Sequence, residues 1–206
     1  MAFAPGGIFL PKAEGRADIE ELDGKLTKLE LENSIQQGST LVAALVTETA
    51  KAMFNCGDYQ NSPRLIAMSW GAEDLASVLG ARLQQNPDGS YIPTFELARS
   101  LCLLGAVAAN VVPVETVMPD FKDLETLKKR AEMVRSQGYR GMLAIHPGQI
   151  DIINQAFSPT PEEVSYAREV VRAFAENPGS GTVGLNGQML DRPHLLLAQK
   201  VLDEMA

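Results

Sequence analysis

The chain has 206 residues, of which 45% are hydrophobic and 21% are charged, so it is long and apolar enough to bury a sizeable core. Eighteen basic residues against 26 acidic ones give a formal net charge of −8, which argues against nucleic acid or a membrane as partner. No apolar stretch reaches the ~18 residues of a membrane span, and the N-terminus lacks the pattern of a secretory signal. Two isolated cysteines, Cys56 and Cys102, predict buried free thiols and a reducing, cytoplasmic location.

Short apolar runs rich in β-branched residues alternate with longer stretches that fit helices. In chain order the runs are GIFLP (7–11), LVAALVTE (41–48), RLIAMSWG (64–71), ANVVPVETV (109–117) and GMLAIHP (141–147). They are apolar throughout rather than alternating, which is typical of parallel strands that are buried on both faces. The pattern predicts an α/β fold with five strand–helix units.

The last fifty residues follow a different pattern. Residues 158–177 predict a helix, since Ser158 or Thr160 offers a cap and Pro161 suits the first turn. Asn186-Gly187 is the strongest short signal for a hairpin turn, and a final helix is predicted from about Pro193. We therefore expect two parts, a strand–helix domain over 1–157 and a helical appendix over 158–206.

Each apolar run ends in a polar or ionisable side chain. In a parallel sheet these ends meet at one edge, which is where ligands bind. The residues at that edge are Lys12, Glu48, Glu73 with Asp74, Glu115 and His146. Glu48 and Asp74 on neighbouring strands would share a divalent cation, because two carboxylates with room for water suit Mg²⁺. Such a metal would hold substrate oxygens and stabilise a developing enolate.

Structural interpretations of the same residues stay open. An acid just after a strand is commonly a helix N-cap or a first-turn residue favoured by the helix dipole, which applies to Glu73 above all and also to Asp74. His146 before Pro147 equally fits a packed, hydrogen-bonded histidine. Glu115 is most simply a polar strand terminus.

Several stretches together resemble the citrate lyase β-subunit family, a branch of the HpcH/HpaI aldolases that includes malyl-CoA, citramalyl-CoA and citryl-CoA lyases. The most specific are the GAEDL element in PRLIAMSWGAEDLASVLG and the AIHPGQIDIINQAFSP run. The remaining stretches are GIFLPKAEGRADI, ALVTETA, ARSLCLLGAVAANVVPVETVMPDFKDLETL and LNGQMLDRPHLLLAQKVL. The resemblance implies a TIM-barrel-like (β/α) fold that is incomplete here, with about five of eight strands. It also implies C-terminal helices that pack on a neighbouring subunit of a homo-oligomer, a trimer or hexamer.

The resemblance further implies a Mg²⁺-dependent lyase that cleaves a carbon–carbon bond in a 3-hydroxyacyl-CoA thioester, giving an acyl-CoA and a 2-oxo acid. Glu48 and Asp74 would be the metal ligands. By the same resemblance, Gly71, Ala72 and Glu73 would offer backbone amides to the oxo-acid carboxylate.

Other residues of the resemblance lie at the mouth of the site or at a subunit interface. Lys12 and His146 would line the mouth where the CoA lies. Asp191 would reach the adjacent subunit's site and take part in proton transfer at the thioester α-carbon.

A different class of function is also open. The family's first three strands, with an arginine that pairs with the substrate carboxylate, are expected to be missing here. The alternative is therefore a non-catalytic or truncated relative that binds a carboxylate, a CoA ligand or a partner chain.

Overall fold

The computed structural model describes residues 3–205. The chain forms two compact units, of which the first ends at Ala156 and the second begins at Phe157. In the described part of the chain, no helix combines the length and the apolarity needed to cross a membrane.

A four-stranded parallel sheet with the order β1-β2-β3-β4 organises the first unit. The strands are β1 Gly7–Leu10, β2 Leu41–Leu45, β3 Leu65–Ser69 and β4 Val112–Val114. The helices are α1 Arg16–Glu32, α2 Ala50–Phe54, α3 Ala72–Leu79, α4 Pro93–Ala108, α5 Leu124–Gln137 and, at the boundary between the units, α6 Ile150–Phe157. Because all four strands run in one direction, their carboxyl ends share one edge, as predicted.

The two faces of the sheet differ in burial. The row formed by Ala44, Met68 and Pro113 is buried under the helices. There α4 approaches so closely that a Cβ on Gly105 would lie 2.1 Å from the Cys56 carbonyl oxygen, so only glycine fits. On the opposite face the side chains of Phe9 and Val112 are 46% and 41% exposed. The prediction that the strands are buried on both faces is therefore wrong for this face at these two residues.

The fifth predicted strand is reduced to a single parallel bridge between Glu115 and Met142. The expectation of a full strand over 141–147 is wrong, and the side chain of Gln149 explains why. Its Oε1 atom accepts hydrogen bonds from the backbone N–H groups of Ile145 and His146 at 2.9 and 3.3 Å. The chain therefore leaves the sheet and enters a 3₁₀ turn, Pro147–Gln149, instead of continuing the ladder.

The second unit consists of α7 Pro161–Glu176, the antiparallel hairpin β5 Thr182–Leu185 and β6 Gln188–Asp191, and α8 Arg192–Asp203. Thr160 caps α7, with Glu163 completing the reciprocal pair of bonds. Asn186 and Gly187 both have positive φ, so the predicted hairpin turn is confirmed. The two helices and the hairpin share an apolar core of Ala167, Val170, Phe174, Val183, Leu190 and Ala198.

Candidate functional site

Three side chains from the ends of β1, β2 and β3 meet at the carboxyl edge of the sheet. The backbone N–H of Lys12 donates to Oε2 of Glu48 at 2.6 Å, while its ammonium lies 3.1 Å from Oδ1 of Asp74. Lys12 adopts a left-handed conformation with φ 54°, which is uncommon for a residue with a side chain. The structure therefore brings Lys12, Glu48 and Asp74 together, and one lysine contacts both carboxylates.

Glu48 is held in this position by the backbone of the next strand. It is only 4% exposed, and a Cβ added at Gly71 would lie 2.8 Å from its Cγ and 3.0 Å from its Oε1. The Gly71 N–H in turn donates to the hydroxyl of Thr47 at 3.2 Å. Glycine at position 71 therefore lets the Glu48 side chain pass beside the start of α3.

The electrostatics of Glu48 favour a bound cation. Burial raises the pKa of the Glu48 carboxyl group, and the negative charge of Asp74 raises it further, whereas the hydrogen bond from the Lys12 N–H opposes the shift. The Lys12 ammonium pairs with Asp74, whereas Glu48 accepts the backbone N–H of Lys12, so the two acids bring negative charge to this edge. A divalent cation would compensate this negative charge more completely.

The start of α3 offers backbone donors beside the two carboxylates. Gly71 is its N-cap and lacks a side chain, so it cannot cap the first N–H groups of the helix. Ala72 is buried at the first helical position, and the Asp74 side chain is 46% exposed. The Glu73 carboxylate accepts a hydrogen bond from Gln84 at 2.6 Å. Of the two acids in GAEDL, only Asp74 contacts the Lys12 ammonium.

The donor set of this edge fits Mg²⁺. Within residues 3–205, no three His, Cys, Asp or Glu side chains gather into a metal cluster. Two carboxylates are nevertheless sufficient for Mg²⁺, which keeps several waters or substrate oxygens in its octahedron. A buried Glu48 beside Asp74 supplies hard oxygen donors of the required kind.

A further acidic residue, Glu14, ties the loops after β1 and β2 together, and the sequence reasoning missed it. Its carboxylate accepts from the Thr49 hydroxyl at 2.7 Å and pairs with the Lys51 ammonium at 2.9 Å. Its carbonyl accepts from the Asn55 side chain at 2.7 Å. These bonds fix the loop that carries Lys12. The available signal was an acid two residues after Lys12, facing a Thr49 that caps α2.

His146 lies at another position on the same unit. Its ring stacks on Phe121 with centroids 4.6 Å apart, and its Nδ1 accepts from the Gly148 N–H at 3.0 Å. Among residues 3–205, it forms no hydrogen bond with Lys12, Glu48 or Asp74. The structure shows an exposed histidine that stacks on Phe121 and accepts one backbone hydrogen bond, and its role at the mouth of a CoA site stays a prediction.

Glu115 is a buried ion-pair partner and not merely a polar strand terminus. It is 0% exposed, and its Oε1 lies 3.0 Å from the guanidinium of Arg130 on α5. Arg130 also donates to the hydroxyl of Tyr91, and the Tyr91 ring packs edge-on against Trp70 with centroids 4.9 Å apart. Burial raises the pKa of Glu115, and Arg130 opposes the shift. The cluster supports Trp70, which directly precedes Gly71.

Asp191 belongs to the second unit, where it ends β6 and precedes α8. Its Oδ1 lies 2.6 Å from Nδ1 of His194, one turn into the helix. Both side chains are about half exposed, at 46% and 49%. The assignment of Asp191 to proton transfer stays a prediction.

Comparison with known proteins gives this arrangement a context. The chain is 33% identical over 198 residues to the citrate lyase subunit beta of Leuconostoc mesenteroides subsp. cremoris, covering 95% of the chain and 64% of that protein. It is 34% identical over 200 residues to a (3S)-malyl-CoA thioesterase of Cereibacter sphaeroides, covering 91% of the chain and 68% of the relative. The chain thus spans about two thirds of the length of these relatives.

A solved structure shares the fold. The CitE protein of Mycobacterium tuberculosis, in complex with magnesium, acetoacetate and coenzyme A, superposes with a TM-score of 0.75 at 28% identity, over 97% of this chain and 68% of CitE. Residues 2–147, well over half of the sequence, match the HpcH/HpaI aldolase/citrate lyase family. The chain therefore belongs to the HpcH/HpaI aldolase/citrate lyase family.

Proposed function

We propose that the chain is a Mg²⁺-dependent carbon–carbon lyase that acts on a 3-hydroxyacyl-CoA thioester of the citryl-CoA, malyl-CoA or citramalyl-CoA type, giving an acyl-CoA and a 2-oxo acid. The observation that carries this proposal is the meeting of Glu48 and Asp74 at Lys12 on the carboxyl edge of the sheet, where the Lys12 backbone N–H contacts Glu48 and the Lys12 ammonium contacts Asp74. The complex of CitE with magnesium, acetoacetate and coenzyme A supports it.

Glu48 and Asp74 would hold the metal. When bound there, Mg²⁺ supplies Lewis-acid chemistry, in that it binds substrate oxygens and stabilises negative charge on them. Glu48 suits a fixed ligand because it is buried and wedged against Gly71. Asp74 suits an exchangeable one because its side chain is half exposed and pairs with the exposed ammonium group of Lys12.

The first turn of α3 would orient the 2-oxo acid. The amides of Ala72 and Glu73 lie at the positive end of the helix, next to the two carboxylates, and backbone N–H groups in this position bind anions well. Lys12 would hold Asp74 in place before the substrate arrives and would face the anionic parts of the CoA ester afterwards. His146, stacked on Phe121, would line the path of the same ligand.

The residue that transfers the proton would come from a second subunit. We infer that the first unit is an incomplete (β/α) barrel and that residues 158–206 pack on a neighbouring copy, where Asp191 would exchange a proton with the thioester α-carbon. A partly exposed apolar face with Phe9 and Val112 on the sheet is consistent with a chain that associates rather than one that stays monomeric.

The test is a cleavage assay on citryl-, malyl- and citramalyl-CoA with and without Mg²⁺, following the oxo acid and the CoA product separately. The wild type should form both products only with the metal, and Glu48→Ala and Asp74→Ala should abolish the activity. Glu125→Ala is the control, because Glu125 is an exposed carboxylate on α5 that pairs with Lys129 and has no role in the proposed site. Equal cleavage by Asp74→Ala and wild type would contradict the metal site. Mg²⁺ binding without cleavage of any thioester would favour the ligand-binding alternative.

The relative named as a malyl-CoA thioesterase makes thioester hydrolysis the second candidate. The two reactions differ in what they release from malyl-CoA. A lyase gives an acyl-CoA and a 2-oxo acid, whereas a thioesterase gives free CoA and the intact hydroxy acid. Release of free thiol in proportion to substrate loss, without oxo acid, would assign the chain to hydrolysis.

A further inference from the structure

The start of α8 carries an aspartate–histidine pair, Asp191 and His194. The proposed function gives a role to the aspartate but none to the histidine. His194 Nδ1 lies 2.6 Å from Asp191 Oδ1 and 3.2 Å from the backbone nitrogen of Asp191. Among the described residues, Asp191 is the acidic or basic group paired with His194. The packing of α8 against α7 and the hairpin is apolar, through Phe174, Leu190 and Ala198.

The short distance restricts where a proton can be. A carboxylate oxygen and an unprotonated imidazole nitrogen both present lone pairs, so they repel each other at 2.6 Å unless a proton lies between them. The proton is therefore on Nδ1 and donated to the carboxylate, or on the carboxyl group and donated to Nδ1. In either arrangement the pair holds one proton that Asp191 alone would exchange freely with water.

We propose that His194 is a positioning residue for proton transfer by Asp191, which it orients through Nδ1 and supplies with the shared proton. This inference rests on the proposed function, because it needs Asp191 to serve the thioester α-carbon. It extends that function to His194, whose described hydrogen bonds are to Asp191.

The shared proton would be used during cleavage of the carbon–carbon bond. In the cleavage direction the bond between the α-carbon and the hydroxyl-bearing carbon breaks, and its electron pair passes to the thioester enolate. The hydroxyl group loses its proton to water, and the α-carbon takes the shared proton of the Asp191–His194 pair, which leaves a carboxylate on Asp191 and a neutral imidazole with its proton on Nε2. The pair regains a proton from water through the imidazole, which is 49% exposed, so it begins and ends each turnover in the same state.

A purely structural reading of the same contacts is a capping box, in which the side chain of His194 accepts the N–H of Asp191. His194→Gln separates the two roles. Glutamine is a natural capping-box residue at this position and can still accept the Asp191 N–H, but it cannot take up and release a proton. We expect His194→Gln to keep the wild-type melting temperature and to lose kcat by about 10²-fold, the order contributed by a positioned acid or base.

The experiment pairs this variant with nitrogen-15 NMR of the imidazole rings, which reports which ring nitrogen carries the proton. The chain has two histidines, so loss of one set of signals in His194→Gln assigns His194. The Nδ1 signal of His194 in the wild type should differ from that in Asp191→Asn, because the substitution removes the carboxylate that shares the proton with Nδ1. Wild-type kcat and pH profile in His194→Gln, or identical ring-nitrogen spectra in Asp191→Asn and wild type, would overturn the inference. If the wild type cleaves no thioester, the proposed function fails, whereas the NMR comparison still decides whether the pair shares a proton.

Discussion

The ammonium group of Lys12 lies 3.1 Å from Asp74, while the backbone of the same residue holds Glu48 at 2.6 Å. One residue with a left-handed backbone therefore contacts both acids, Glu48 through its N–H and Asp74 through its ammonium group. In the proposed function, Mg²⁺ would take the place of the exposed Lys12 ammonium group beside Asp74. The contacts of the two carboxylates can therefore be tested through the stability of the metal-free protein, separately from catalysis.

Glu48→Gln should stabilise the protein when no metal is present. Because burial and Asp74 raise the pKa of Glu48, the folded state favours the protonated form, and the stability that this provides is lost as the pH rises through the raised pKa. Glutamine mimics the protonated form and removes the cost of a buried charge. Thermal melting in chelator should show a higher melting temperature for the variant near neutral pH. The difference should vanish below the ordinary pKa of glutamate, about 4.3, and a variant less stable than wild type at pH 7 would contradict the assignment.

Lys12→Met should make the protein more dependent on Mg²⁺. Without the ammonium group, Asp74 loses its ion-pair partner next to Glu48, so the apo protein should melt earlier and the metal should raise the melting temperature by more than in the wild type. A titration of melting temperature against Mg²⁺ measures both effects. Lys25→Met is the control, since Lys25 pairs with Glu21 on the exposed surface of α1. An identical Mg²⁺ response in Lys12→Met and wild type would show that Lys12 and the metal do not compete.

Gly71→Ala tests whether close approach of the backbone to Glu48 shapes the site. The added methyl group would lie 2.8 Å from Glu48 Cγ, so the Glu48 side chain must move, at a cost of about 1–3 kcal/mol typical of overpacking. We expect the stabilisation by Mg²⁺ to fall along with the free energy of unfolding. Gly24→Ala is the matched control, because nothing lies near that position of α1 and alanine favours helix. Denaturant unfolding with and without Mg²⁺ distinguishes the two variants. Unchanged metal binding in Gly71→Ala would contradict the proposed geometry.

The shared edge of the sheet was predictable because it follows from strand direction alone. Parallel apolar runs place the residues after them at one edge, which is how Glu48 and Asp74 could be paired from the sequence. The Asn186-Gly187 hairpin was predictable for a local reason, since both residues tolerate positive φ. These features depend on strand order or on two adjacent residues.

The features that escaped prediction depend on single side chains from distant parts of the chain. The fifth strand ends early because Gln149 captures two backbone N–H groups, and hydropathy does not reveal where a glutamine will point. Glu115 is buried because Arg130, fifteen residues later, reaches it from α5. Helical periodicity places Leu127, Ala131 and Val134 in the core but leaves the direction of the neighbouring Arg130 undetermined.

Arg130→Met should be among the most destabilising single changes in the first unit. It leaves the fully buried Glu115 carboxylate without its cation, and breaking a buried pair on one side typically costs about 3–5 kcal/mol. Lys129→Met, which removes an exposed partner of Glu125, is the control and should cost well under about 1 kcal/mol. Adding Glu115→Gln to Arg130→Met should recover part of the loss, because the raised pKa of Glu115 shows that its charge is the costly element once Arg130 is gone. Urea unfolding of the single and double variants measures the coupling, and additive effects would mean that the two side chains do not depend on each other.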